Sequence, residues 1–280
     1  MKIALVQQHA STDLDDNLRR AAAAFEEAAR GGAELVAFAE LAFLPFFPQV
    51  AAPNNPAYKS FAQPVPGPVT EEFSSLAKRH GSVAVLNLFE TDGRKTYDSS
   101  PVIDADGTLL GVARMVHIFE GPGFYEKGYY APGNSPRCVF ETRVGKVGVA
   151  ICYDRHFPEY MRGLALQAAQ IVVIPQAGIA GEWGEDIYES EVRMASFQNG
   201  YFAALVNRVG KEAVLHFSGE SFVTNPFGEV VARAPRDRDF VLSADCDFEL
   251  IAKSPARRHF LPDRRPSMYR ALGITGDEKD

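Results

Sequence analysis

Two halves of this 280-residue chain repeat one order of elements: strand, helix, strand, helix, strand and hairpin. In the first half, apolar spacing and capping signals predict strands over 2–6, 34–38 and 83–89, helices over 13–30 and 70–80, and a hairpin turning at 104–107. The second half predicts strands over 147–152, 171–174 and 201–206, helices over 158–169 and 185–199, and a hairpin turning at 225–228. Strands that alternate with helices and then hairpins favour an α/β fold with two mixed sheets packed as a four-layer α-β-β-α sandwich. The hairpins argue against the alternative, an ordinary doubly wound sheet.

Composition bounds the class of protein and the kind of partner. The apolar fraction of 46% and the charged fraction of 23% are ordinary for a globular protein, and we expect one domain over residues 1–272 with a flexible tail over 273–280. With 36 acidic against 29 basic residues, the chain lacks the charge of a nucleic-acid-binding or membrane-surface protein. The expected partner is therefore a small molecule.

The apolar runs and the cysteines of the sequence indicate the compartment of the protein and the redox state of its thiols. The apolar stretch at the N-terminus is too short for a signal peptide, and no later run is long enough to cross a bilayer, so we expect a cytoplasmic protein. The three cysteines, Cys138, Cys152 and Cys246, are widely spaced and form no C-x-x-C pattern. We expect reduced thiols, with neither a disulfide framework nor a metal site.

The stretch VGKVGVAICYDRHFPEYMRG, residues 144–163, raises the question of what Cys152 does. A predicted strand that ends at Cys152, followed by a helix that opens at Pro158, places the thiol at the carboxyl edge of a sheet, where α/β folds bind ligands. A helix N-terminus that faces the sulfur would also favour the thiolate. The alternative is that Cys152 is a small residue of the core.

Two further stretches carry acidic residues in unusual places. Glu40 follows an almost uninterrupted apolar strand in LVAFAELAFLP, so it is either a solvated strand end or a base whose pKa is raised by apolar walls. Glu126 and Lys127 lie in GPGFYEKGYYAPGN, which by itself is only a surface loop rich in glycine and aromatic residues.

In this order, AELAFLP, YEKGYYAPGN, ICYDRHFPE and LVNRVGKE followed by FSGESFVTNPFGEVV resemble the nitrilase superfamily of carbon-nitrogen hydrolases. The resemblance extends from residue 2 to about residue 272 and closes with FLPDRRPSMYRAL. It implies the nitrilase-type α-β-β-α sandwich, a cytosolic homodimer or higher even homo-oligomer, and a Glu-Lys-Cys mechanism without a cofactor. The substrate it implies is a small amide or ureido compound.

The same resemblance assigns roles to individual residues. It makes Cys152 the nucleophile, Glu40 the general base and Glu126 the second acidic residue found in the family's amidases. Glu40 would take the thiol proton, Cys152 would attack the carbonyl, and water would cleave the resulting thioester. The backbone N–H of Tyr153, which follows the nucleophile, is the expected oxyanion donor.

One position departs from the family's pattern. The family has a lysine in an Arg-Lys-x-His motif, whereas GVARMVHIFEGPG places Met115 there. Strand alternation puts Arg114 on the face opposite Met115 and His117, so Arg114 cannot replace the lysine without a register slip. Three interpretations follow: a hydrolase with another oxyanion group, a relative that binds a ligand without turning it over, or a sequence altered at this residue. Because the two glutamates and the cysteine remain in motif context, we favour the hydrolase.

The residues after the nucleophile bear on the substrate. Arg155 and His156 resemble the Arg-His or Arg-Arg of relatives that cleave N-carbamoyl amino acids, whereas relatives acting on N-carbamoylputrescine often carry Gln-Trp. A guanidinium suits a planar carboxylate, so an N-carbamoyl amino acid is the predicted substrate. The alternative for Arg155 is a salt bridge to Asp154 or Glu159. Alternative reactions with the same residues are ω-amidase action and nitrile hydrolysis.

Gln176 and Trp183 are the remaining candidates for the substrate pocket. Both lie in or beside PQAGIAGEWGEDIYE, which could equally be a loop around a packed tryptophan. A cysteine-protease mechanism would need a histidine partner for Cys152 in a recognisable motif, which the chain lacks. Metal catalysis likewise lacks its spacing signature.

Overall fold

The structure, a computed structural model, describes residues 1–182, 184 and 186–274. Its strands, in chain order, are β1 Lys2–Gln7, β2 Leu35–Phe38, β3 Val83–Val85, β4 Leu88–Thr91, β5 Thr96–Ile103, β6 Leu109–Arg114, β7 Val139–Thr142, β8 Gly145–Val149, β9 Ile171–Gln176, β10 Phe202–Asn207, β11 Val209–Lys211, β12 His216–Ser218, β13 Phe222–Thr224, β14 Val230–Arg233 and β15 Phe240–Asp245. Its α-helices are α1 Leu14–Arg30, α2 Pro68–His80, α3 Pro158–Leu166, α4 Ile187–Asn199, α5 Glu249–Lys253 and α6 Pro266–Ala271. Shorter 3-10 segments include Glu126–Gly128 and Cys152–His156.

The two halves form two sheets of the same plan. The first has the order β15-β1-β2-β3-β5-β4, with β6 paired to β5. The second has the order β14-β13-β10-β9-β8-β7. In each sheet three neighbouring strands are parallel, and antiparallel strands flank them. The parallel strands are joined through helices, as βαβ connections require.

The sheets pack face to face with helices outside, so the predicted α-β-β-α sandwich is confirmed. Strands β1 and β2 contact β9 and β10 across the interface, while α1 and α2 cover the first sheet and α4 packs on β10. The core between the sheets includes the fully buried Leu5, Ala37, Ile174 and Leu205. A second apolar cluster, which includes Phe25, lies between the first sheet and its helices.

Several predicted boundaries differ from the structure. The predicted strand over 83–89 is two strands, β3 and β4, separated at Leu86 and Asn87. Oδ1 of Asn87 accepts a hydrogen bond from the Leu41 amide at 2.7 Å, so the Asn87 side chain holds the turn after β2. The predicted strand over 147–152 ends at Val149. The turns predicted at 104–107 and 225–228 join β5 to β6 and β13 to β14.

The C-terminal segment runs over the outside of the molecule. Arg257 donates hydrogen bonds to the Gly200 and Ala169 carbonyls and so fastens this segment to the second half. Of the predicted tail, residues 275–280 lie outside the described residues. Among the helices in the described part of the chain, none has the length and apolar character needed to cross a bilayer.

Candidate active site

The carboxyl ends of the parallel strands bring three of the predicted site residues together. Glu40 follows β2, Cys152 follows β8 and Gln176 ends β9. The Glu40 carboxyl is fully buried and lies in hydrogen-bonding contact with the Cys152 thiol. Gln176 Nε2 donates to Cys152 Sγ at 3.3 Å. The sulfur therefore has an acid–base group on one side and an amide donor on the other.

The chain turns sharply at Cys152, and the turn is strained. Cys152 has a φ of 45°, in the left-handed region that side chains rarely adopt. The buried Asp154 carboxylate holds this elbow, since it accepts the Ile151 amide at 3.2 Å and the His117 amide at 2.9 Å. It also accepts from Nδ1 of His117 at 2.8 Å. Strain held by the surrounding structure at a buried thiol is typical of a functional site.

A short 3-10 segment stands between Cys152 and the predicted helix that opens at Pro158. This segment, Cys152–His156, follows the strand, and α3 begins only at Pro158. The Tyr153 amide lies in the first turn of that segment, where helical N–H groups lack intrahelical acceptors. The elbow therefore keeps an available backbone donor beside the thiol.

A cavity of about 270 Å³ opens onto the sulfur. Its apolar wall includes Phe119, Phe124 and Ile179. Its polar wall holds the predicted residues Glu126, Cys152, Tyr153, Arg155, His156 and Gln176, together with Glu182. Trp183, the remaining predicted contact residue, lies outside the described residues. The chemistry-bearing side chains therefore face one space of small-molecule size.

Arg155 makes different ion pairs from those that the sequence suggested. Its guanidinium pairs with Glu191 at 3.1 Å and lies 3.5 Å from Glu182 rather than pairing with Asp154 or Glu159. It also donates to Gln176 Oε1 at 2.7 Å, which orients the amide that contacts the thiol. His156 Nδ1 lies 2.7 Å from the other oxygen of Glu191.

Burial and mutual repulsion keep the acidic groups of the site protonated to unusually high pH. Burial, followed by the charge of Glu126, raises the pKa of Glu40 to about 8. Burial, followed by the charges of Glu40 and Glu126, raises the pKa of the Cys152 thiol well above its usual value. The thiol is therefore neutral until a base takes its proton. Within the described residues, no three metal-ligating side chains are grouped so as to hold an ion.

Met115 is fully buried, and its neighbours lie where strand alternation predicts. Arg114 is on the opposite face, where it forms a bidentate pair with Glu90 at 2.6 and 2.8 Å. The imidazole of His117 is tied to the elbow carboxylate, and Lys127 is exposed. Neither Arg114, His117 nor Lys127 therefore occupies the place of the family's lysine.

Two residues of the site, Arg208 and Asp98, were missed at the level of sequence. Arg208, after β10, donates to the Glu40 and Leu44 carbonyls at 2.9 and 3.0 Å and holds the turn after β2. Asp98, fully buried in β5, accepts from Asn87 Nδ2 at 2.6 Å and contacts the Glu40 carboxyl. The available signal was a polar residue within or directly after an apolar run, as in TYDSSPVI and LVNRVG.

Comparison with known proteins agrees with this geometry. The carbon-nitrogen hydrolase family matches residues 2–256. The chain is 35% identical to an N-carbamoylputrescine amidase of Solanum lycopersicum, over 96% of this chain and 94% of that protein. The carbon-nitrogen hydrolase of Helicobacter pylori G27 superposes with a TM-score of 0.90 at 30% identity, covering 97% and 98% of the two chains.

A more distant structure bears on the cysteine. An amidase of Nesterenkonia sp. AN1, solved with acrylamide added to its active-site cysteine, superposes with a TM-score of 0.79 at 25% identity, covering 97% of this chain and 99% of that one. The family match, the similarity over nearly the whole chain and the shared sandwich lead to one assignment. The chain belongs to the carbon-nitrogen hydrolases of the nitrilase superfamily.

Proposed function

We propose that this protein hydrolyses the non-peptide C–N bond of a small linear amide or ureido compound through a thioester on Cys152. The observation that carries the proposal is the strained elbow, which holds the Cys152 thiol against the buried Glu40 carboxyl at the base of the cavity. A thiol activated by an adjacent base is the general arrangement of a cysteine nucleophile.

The proposed reaction uses groups already in contact. Glu40 removes the thiol proton, and Sγ of Cys152 attacks the substrate carbonyl while the Tyr153 amide donates to the developing oxyanion. The C–N bond breaks, the amine leaves with the proton from Glu40, and a thioester remains. Water, deprotonated by Glu40, then displaces the thiolate, which regains a proton. An amide yields its acid, and a ureido compound yields carbamic acid, which loses carbon dioxide.

Three other residues are given supporting roles. Gln176 stabilises the developing thiolate through its Nε2–H, and Arg155 holds that amide in place. Glu126 borders the cavity, and the Phe119 amide donates to its Oε2 at 3.2 Å. Its other oxygen has no donor among the residues that the structure describes, so it is available to accept a hydrogen bond from the substrate nitrogen.

A ureido compound is the substrate class that we propose, in agreement with the name of the N-carbamoylputrescine amidase relative. The predicted N-carbamoyl amino acid would place its carboxylate on Arg155 and His156, both of which border the cavity. Arg155 already shares its charge with Glu182 and Glu191, so a substrate carboxylate has to displace Glu182, the more distant partner. Because of this competition, our second candidate is a ureido compound whose far end is cationic or neutral.

The test measures ammonia release from N-carbamoyl amino acids, N-carbamoyl diamines, ω-amides and nitriles. Cys152→Ala should abolish turnover and the covalent adduct seen by mass spectrometry, whereas the matched control Cys138→Ala should retain both, because Cys138 lies outside the cavity lining. Equal turnover by Cys152→Ala and wild type would contradict the cysteine mechanism. The substrate with the highest kcat/KM decides between the two kinds of ureido compound.

We also propose that the protein works as a cytosolic homodimer. Phe260, Met268, Leu272 and Ile274 of the C-terminal segment are exposed by 39% to 70%. Large apolar side chains gathered in one exposed segment are typical of an interface between subunits.

A further inference from the structure

The deepest part of the site contains buried oxygens that lack donors. Apart from the Cys152 thiol beside Glu40, no described residue offers a donor to the two Glu40 oxygens or to Oδ2 of Asp98. Both side chains are fully buried. An unsatisfied buried charge is costly, so the site needs a donor that the heavy atoms alone do not reveal.

The contact between the two carboxyl groups shows where that donor lies. Glu40 and Asp98 are in hydrogen-bonding contact with each other, and this contact is attractive only when a proton lies between them. Asn87 Nδ2 already donates to Oδ1 of Asp98 at 2.6 Å. When Glu40 is ionised, Oδ2 is therefore the Asp98 oxygen left to carry the proton, and one O–H···O bond then joins the two side chains.

Strand pairing places the Asp98 carboxyl group beside Met115, the position where the family has a lysine. Ser99 pairs with Arg114 in the antiparallel β5–β6 ladder, and the Met115 amide donates to the Asp98 carbonyl at 2.9 Å. Ser99 and Arg114 both bind Glu90 on one face. Their neighbours Asp98 and Met115 therefore lie side by side on the face that meets Glu40.

We propose that Asp98 is protonated at Oδ2 and donates a hydrogen bond to the Glu40 carboxylate, which makes Asp98 the positioning residue of the general base. The inference rests on the proposed function, because Glu40 is that reaction's base. The neutral O–H supplies Glu40 with a donor in a site where Met115 supplies none. An ionised Asp98 could only repel Glu40.

The charges around the pair favour this protonation state. The titratable and charged groups that face it are Glu126, Tyr130, Cys152, Asp154, Tyr188 and Arg208. Burial, followed by the charge of Glu40, raises the pKa of Asp98 well above its usual value. Arg208 acts the other way and favours the ionised Glu40, its nearer partner. Once the pH exceeds the pKa of Glu40, about 8, the pair therefore holds one proton, on Asp98, with Glu40 as the anionic member.

The first test compares pH profiles of kcat/KM. Asp98→Ala removes the donor, so kcat/KM should fall at least about tenfold and its acidic limb should move to higher pH. Asp98→Asn keeps an N–H donor that cannot ionise, so it should recover activity to within about threefold of wild type and lose the alkaline decline caused by ionisation of Asp98. Ser99→Ala, which removes a buried hydrogen bond on the other face of β5, is the matched control and should keep the wild-type profile.

A purely structural role for Asp98 would lower activity without moving either limb, and this result would overturn the inference. So would an Asp98→Asn variant whose pH profile equals that of wild type.

The second test needs no turnover and so separates this inference from the proposed function. Infrared spectra of wild type above pH 8, where Glu40 is ionised, should contain the C=O band of a protonated carboxyl that Asp98→Asn removes and Glu40→Gln retains. If Glu40→Gln removes the band and Asp98→Asn retains it, the proton lies on Glu40 and the inference is wrong. Cys152→Ala should keep the band whether or not Cys152 is the nucleophile.

Discussion

At the scale of residues, one methionine sets the electrostatics of the site. Glu40, Asp98 and Glu126 gather around a thiol, and the position where the family has a lysine holds the apolar Met115. Burial raises the pKa of Glu40 more than the charge of Arg208 lowers it, so less of the base is ionised at neutral pH but the ionised base is stronger. The site should therefore reach its reactive ionisation state at a higher pH than one with a fixed ammonium.

Met115→Lys should raise kcat by at least about tenfold on a substrate that wild type hydrolyses slowly. Methionine and lysine are similar in volume, and the ammonium would meet three carboxyl groups and add an oxyanion donor, a kind of group worth about 10² to 10³ in kcat. The acidic limb of the pH profile should also move to lower pH. A slower Met115→Lys enzyme on the best wild-type substrate would show that the site works better without the cation.

Arg155→Gln tests the choice of substrate. If Arg155 binds a substrate carboxylate, KM for an N-carbamoyl amino acid should rise about tenfold or more, and KM for an uncharged ureido compound should change little. If Arg155 instead only holds Gln176, kcat should fall equally on both substrates. His156→Gln provides the matched comparison, because His156 shares Glu191 with Arg155 but makes no hydrogen bond to Gln176 in the described contacts.

At the scale of elements, the elbow after β8 holds the proposed nucleophile. The Asp154 carboxylate accepts from the backbone amide of Ile151 and from those of Val116 and His117, which are distant from it in the sequence. These bonds support the strained conformation at Cys152 and attach the segment that follows Met115 to the elbow. The two edges of the site are therefore joined by a single buried side chain.

Asp154→Ala should lower the free energy of unfolding by about 2–4 kcal/mol, because it leaves buried donors without an acceptor. Urea unfolding followed by circular dichroism is the measurement. The exposed Glu141→Ala on β7 is the control and should stay within about 0.5 kcal/mol of wild type. A similarly small effect for Asp154→Ala would mean that water takes over its role.

At the scale of the whole molecule, the buried acids make stability depend on pH. The folded-state pKa of Glu40, about 8, is raised above the ordinary 4.5, so the folded state binds more protons than the unfolded state between these values. Stability should therefore fall as the pH rises from about 4.5 to 8, and Glu126 and Asp98 act in the same direction.

Glu40→Gln should flatten this decline by at most roughly 5 kcal/mol at the alkaline end, a shift of 3.5 units at 1.36 kcal/mol each. Thermal unfolding at pH 5 and pH 8 measures the difference. The control is Glu71→Gln, an exposed acid on α2. An equal pH dependence in Glu40→Gln and wild type would contradict the raised pKa.

The C-terminal segment supplies a prediction about assembly. Met268→Asp together with Leu272→Asp should convert a dimer into monomers by light scattering, since charges at a buried apolar interface are strongly unfavourable. Point substitutions are preferable to truncation after Lys253, because truncation also removes the buried Ala256 and Arg257. Val214→Asp, at an exposed apolar residue elsewhere in the chain, is the control and should leave the dimer intact.

The local sequence pattern determined much of the fold of this protein. The alternation of elements predicted two sheets in a sandwich, and a period of two placed Arg114 on the face opposite Met115. These features follow from backbone geometry and from the burial of apolar side chains away from water. Both produce a pattern that is visible within a few residues of sequence. The motif order also identified the family correctly.

Only the tertiary structure decided the side-chain partners. Arg155 pairs with Glu191 from α4 instead of with a neighbour in sequence, and Asp98 reaches Glu40 because β5 and the turn after β2 meet at one edge of a sheet. The left-handed backbone at Cys152 likewise depends on the acceptor that Asp154 provides for its neighbours. Such contacts join residues far apart in the chain, and their energies depend on burial, which exists only after the sheets have packed.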